Sequence, residues 1–197
     1  MKPEVFGITR FDEKAVIVVL LVFGIAEALM GAYKKGPRTW NDYATEIFGF
    51  TNLTILIQPG VLLLVAFLGR KFYPALEGRF VDLAAGWQFI ILVLIEDLPQ
   101  YWWHRLAHNA PWLWKLHLAH HASPSMGVGT VFRNHALYFL LMPNMWLAAV
   151  AVYLGFAKVY IVYTVIKLLI IIGAHSEVRW DSFFYRYKIL HPIAWLL

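Results

Sequence analysis

The chain has 197 residues, of which 60% are hydrophobic and 15% charged, with a net charge of +5 and no cysteine. An ordinary soluble domain carries about 45–50% apolar and about 25% charged residues, so this composition excludes a single soluble domain with a polar exterior and points to the bilayer. The absence of a Lys/Arg run excludes a nucleic-acid groove, and the absence of cysteine excludes disulfides, thiolate metal sites and thiol nucleophiles.

The expected fold is all-α, an integral membrane protein of about five transmembrane helices with a histidine-rich helical site at one membrane face. Residues 15–33 (AVIVVLLVFGIAEALMGAY) carry one charge, Glu27, and match the roughly 20 residues that cross a bilayer. They follow RFDEK and lack a clear cleavage site, so they read as a span and not a signal peptide. Residues 51–68 (TNLTILIQPGVLLLVAFL) carry no charge, and the Pro59-Gly60 pair is expected to kink this second span. Residues 83–103 start apolar, acquire Glu96 and Asp97, and end in a Trp pair of the kind found at a membrane interface. Two further apolar runs, 136–156 and 159–174, are separated only by residues 155–158 and read as a helical hairpin, the second member holding Lys167. Residues 1–82 are thus expected to form N-terminal transmembrane helices and loops, and residues 83–197 the domain that carries the site.

A hairpin returns the chain to the side it left, which puts all eight histidines in one compartment. Lys and Arg number nine on that side and seven on the other, a bias toward a cytoplasmic site. Five of the histidines lie within WHRLAHNAPWLWKLHLAHH, residues 103–121. His104 and His108 are spaced i, i+4 and share one helix face, a bidentate clamp. Pro111 is expected to end that helix and open another. On the second helix His117 projects with both His120 and His121, while those two diverge by about 100°, so one helix offers imidazoles to two ions. Five polar rings beside a membrane are costly without a partner, which favours metal ligation over interfacial histidines.

EDLPQYWWHRLAH followed by WKLHLAHHAS resembles the first two histidine boxes of the fatty acid hydroxylase/sterol desaturase superfamily, integral-membrane non-haem di-iron oxygenases, and GAHSE resembles its isolated late histidine. The resemblance covers residues 95–195 and makes residues 83–197 a fatty acid hydroxylase-like di-iron domain. It implies metal ligation by His104, His108, His117, His120, His121 and His175, with two iron ions as cofactor and zinc an alternative occupant. It further implies O2-dependent hydroxylation or desaturation of a lipid, fatty acyl, sterol or related, with electrons from a separate cytochrome b5-like or ferredoxin-like donor. The superfamily carries a third box of HxxHH type that this sequence lacks up to Leu197, so the chain is expected to be a fragment, incomplete at the C-terminus. A non-catalytic or degenerate histidine-box protein, or a zinc-binding membrane protein, is the alternative.

Other residues carry lesser expectations. His135 is a candidate ligand but is expected to be interfacial, and His191 structural. Glu96 and Asp97, eight and seven residues before His104, are candidates to accept a hydrogen bond from a ligand ring and fix its tautomer. A metal transporter would place its histidines near mid-bilayer, and a zinc hydrolase would want a carboxylate beside them as in HExxH. Neither pattern occurs here.

Overall fold

In a computed structural model of the chain, residues 3–31, 38–178 and 182–191 are described, the first eleven of them as backbone only. Among these residues every regular element is helical: α1 (Pro3–Leu29), α2 (Trp40–Thr51), α3 (Gln58–Phe72), α4 (Ala85–Asn109), α5 (Pro111–His121), α6 (Ala136–Leu141), α7 (Pro143–Ala151), α8 (Ala157–His175) and α9 (Ser182–Arg186), with short 3-10 turns between.

Thr39 starts α2 with a reciprocal capping box, its side chain accepting from the Asp42 backbone N–H while Asp42 accepts from that of Thr39. From there the helix runs on into α3, interrupted only by a π-helical turn at Asn52–Ile57. Pro59, expected to kink this segment, sits in the first turn of α3 just after that wider turn. Proline has no N–H for the carbonyl one turn back, and the register change absorbs the mismatch without breaking the rod.

The expected fourth span, residues 136–156, is not one helix. Pro143 splits it into α6 and α7, with Met142 extended (ψ 115°) as a residue before proline prefers to be. The expected hairpin turn is present: Gly155 takes φ 115°, a conformation that only glycine adopts without strain. A Cβ there would press on the backbone of Val81. The neighbouring carbonyls of Tyr153 and Leu154 accept from the N–H groups of Gly78 and Phe80, fixing the reversal to the loop before α4. The two legs return to the same level of α4: the Asn144 amide donates to Gln100 (3.4 Å), while Lys167 pairs with Glu96 (2.6 Å).

Trp40–Phe72 and Pro143–His175, each 33 residues, are the two helical stretches among the described residues apolar enough to cross a membrane, against the five expected; the second turns back at Gly155, so α8, with 19 residues, is its spanning-length leg. α4 is long enough, but Glu96, Asp97 and the histidines interrupt its apolar run, and α6 and α7 are too short. The core packs α4 against α7 and α8, with Leu92, Ala107, Leu113, Ala148 and Ala149 buried; the alanines let the backbones approach closely.

Five buried or half-buried charges tie the histidine end together. Arg133 donates to Asp42 (3.0 Å) and to the Ala119 carbonyl (3.1 Å), joining α2 to α5. Arg38 pairs with Glu46 (2.7 Å) and reaches Ser125. Gly49 lets α2 lie against the 3-10 segment Val128–Phe132, whose Phe132 carbonyl a Cβ would strike. Glu27, 0% exposed on α1, accepts from Ser176 Oγ (2.8 Å) and the Glu177 N–H (3.0 Å) just past α8, and from the Val128 N–H (3.4 Å). It does not snorkel to the surface.

Candidate metal centre

α4 continues beyond the expected span to Asn109, so His104 and His108 stand on its last turns, their Nε2 atoms 3.1 Å apart. Ala110 then leaves helical backbone and Pro111 opens α5, the corner expected from the sequence. One turn apart on α5, His117 and His121 bring their Nε2 atoms to 3.2 Å. Taking one ring nitrogen from each, the four ligand atoms of His104, His108, His117 and His121 lie within 4.8 Å of one another. His120 turns away toward the end of α8, where its Nε2 lies 3.3 Å from that of His175. The His117 and His120 rings stack at 4.9 Å, so a four-imidazole group and a two-imidazole pair adjoin across one helix.

The outward nitrogens are held. His117 Nδ1–H donates to Asn134 Oδ1 (2.7 Å), His120 Nδ1–H to the Thr130 carbonyl (2.9 Å) and His175 Nδ1–H to the Ile171 carbonyl (2.8 Å). A carbonyl can only accept, so these bonds place the proton on Nδ1 and leave the Nε2 lone pair to the interior, as a metal ligand requires. Burial keeps His117 and His120 neutral, holding them at about 4 and about 3 against an ordinary 6.5, with the neighbouring rings adding to the effect. His104 and His121 are lowered by the same causes. Neutral, oriented, convergent imidazoles fit a divalent transition-metal ion, and the donor chemistry suits iron, zinc, copper or nickel.

Other expected site residues lie elsewhere. Glu96 and Asp97 meet no histidine ring: Glu96 pairs with Lys167, and Asp97 accepts from the Tyr163 hydroxyl (2.8 Å). Eight and seven residues carry them about 12 and about 10.5 Å along α4 from His104, too far for a hydrogen bond. His135 stays outside the imidazole group; its Nδ1 caps α6 by accepting from the Leu137 N–H (3.1 Å). His191 meets the Tyr185 carbonyl (3.2 Å). The groups that do orient the rings, Asn134 and the Thr130 and Ile171 carbonyls, were not anticipated. Backbone carbonyls leave no trace in residue type, and Asn134 in FRNHAL carries no spacing signal.

A cavity of about 230 Å³ begins at His104, His117, His120 and His175 and extends between the helices to Leu62, Met145, Ala148 and Tyr160. Its lining is mainly apolar, and Glu96 with Lys167 and Asn144 with Gln100, each pair hydrogen-bonded, form a polar band within it.

Residues 89–193, more than half the chain, match the family model described as fatty acid hydroxylase. Among curated proteins the chain is 25% identical over 135 residues to an alkylglycerol monooxygenase of Xenopus tropicalis, covering 66% of this chain and 29% of that protein. The chain therefore spans less than a third of the length of this relative. No solved structure matches it significantly.

Proposed function

Given that this chain belongs to the fatty acid hydroxylase family, within the fatty acid hydroxylase/sterol desaturase superfamily, we propose that it is, or is part of, a multi-pass membrane oxygenase that inserts oxygen into a C–H bond of a lipid. One observation carries the reading: two adjoining sets of imidazoles bring their Nε2 atoms together, and His104, His117, His120 and His175 among them line a mainly apolar cavity. His104, His108, His117 and His121 would hold one iron ion, and His120 with His175 would contribute to a second. Bound iron would supply O2 activation and one-electron chemistry that no side chain of this sequence offers. Asn134 and the Thr130 and Ile171 carbonyls keep Nδ1 protonated and the rings fixed, and the mainly apolar walls exclude water and accept an alkyl chain from the bilayer.

Reduction of O2 with insertion of one oxygen atom also forms water and consumes two electrons and two protons. A separate cytochrome b5-like or ferredoxin-like donor supplies the electrons in this reading, at the cytoplasmic face favoured by the Lys/Arg distribution. The relative's name makes an alkylglycerol the first substrate to try. Zinc is the second reading, because a four-imidazole group satisfies its preferred coordination number.

The test is metal analysis of protein purified in lipid nanodiscs, followed by turnover of an alkylglycerol with O2 and a reconstituted electron donor. Tightly bound iron that His104→Ala and His120→Ala each diminish, with substrate oxidised only when iron is present, is expected. Bound zinc with no iron-dependent oxidation would replace the oxygenase reading by the zinc one.

A further inference from the structure

The polar band across the cavity is not used by the metal centre. Glu96 and Asn144 are 5% and 3% exposed, stand side by side and line the cavity. Glu96 spends one oxygen on Lys167 (2.6 Å), and the Asn144 amide nitrogen donates to Gln100. Among the described residues, Glu96 Oε1 and Asn144 Oδ1 have no hydrogen-bond partner of standard geometry. Lys167, also in the lining, has three N–H donors and faces Glu96 at 2.6 Å and Asp97 at 3.6 Å.

An alkyl chain lying across this band would leave both acceptors buried and unsatisfied, which is costly. An anionic headgroup would meet two carboxylates against one ammonium. A neutral hydroxyl suits it: it donates to Glu96 Oε1 or Asn144 Oδ1 and accepts from the free N–H of Lys167. We propose that Glu96, Asn144 and Lys167 form a recognition subsite for the hydroxyl of a neutral amphiphile, about 12 Å along α4 from the imidazoles. The subsite would select neutral alcohols over fatty acids and set the distance from the hydroxyl to the carbon presented at His104. Only the identity of that reacting end rests on the oxygenase reading; hydroxyl binding does not.

Binding of radiolabelled hexadecanol, palmitate and hexadecane to the full chain in nanodiscs, corrected for partition into empty discs, tests this without turnover. Hexadecanol is expected to bind roughly tenfold tighter than either other lipid. Asn144→Leu and Glu96→Gln should each erase most of that preference while bound metal is unchanged. Equal binding of the three lipids, or a preference that survives both substitutions, would overturn the proposal and leave the band as a structural ion pair bridged by water. Loss of iron or turnover with the preference intact would instead count against the oxygenase reading alone.

Discussion

The four-imidazole group and the His120–His175 pair are built from the same residue type by different means. The first comes from 18 consecutive residues, 104–121, in which two helical turns and a proline corner bring four rings together. The second joins residues 55 apart and exists only because α8 returns from Gly155 to the level of α5. Local spacing therefore suffices for one set of donors, whereas the other depends on the packing of the whole bundle.

The sharpest break in this contrast is His117→Ala. His117 is 1% exposed, belongs to the larger group and stacks on His120, so both sets lose support. Bound iron measured by elemental analysis is expected to fall close to background, whereas His175→Ala should deplete only the metal held by the pair. Asn134→Leu comes next. Removing the acceptor that orients His117 is expected to weaken metal affinity by about 10–100-fold while the helical circular dichroism signal persists, read by chelator competition.

Gly155→Val attacks the pair through its dependence on topology. The left-handed backbone and the proximity of Val81 should cost about 1–3 kcal/mol, seen as lower thermal stability. Metal loss in this variant should fall on the His120–His175 site before the larger group. The smallest effect concerns pH in the metal-free protein. His117 and His120 sit at about 4 and about 3 when folded, against 6.5 when unfolded, so the unfolded chain binds more protons between those values. Stability should be unaffected by these two rings above about pH 6.5 and should decline as pH falls toward 4 and then 3. A flat stability profile over that window would show that the rings are solvated.

This asymmetry also explains how much was legible in the sequence. Helical periodicity and Pro111 were enough to anticipate the facing of His104 with His108 and the divergence of His120 from His121, because both are properties of an isolated helix. The hairpin at residues 155–158 was legible from its glycine and the apolar runs on either side. Residues 136–156 were misread because hydropathy counts apolar length and ignores what Pro143 does to the residue before it. At Pro59 the sequence signalled the proline but not the π-helical turn just before it, which has no signature in residue type. Glu96 and Asp97 were candidates to meet a ring on angular grounds, but an axial offset of about 10–12 Å outweighs a shared face. Their actual partners, Lys167 and Tyr163, lie 71 and 66 residues away and were beyond any local argument.

The Glu27 clamp gives the order of synthesis a role in assembly. Glu27 leaves the ribosome early, yet the Ser176 hydroxyl and Glu177 N–H that it binds emerge about 150 residues later. Residues 104–121 are already outside by then, so the α4–α5 corner can form before this clamp closes. Only when the segment after His175 docks on α1 is the end of α8 tied to the first helix. Closure of the clamp thus reports that the first helix and the eighth have found each other.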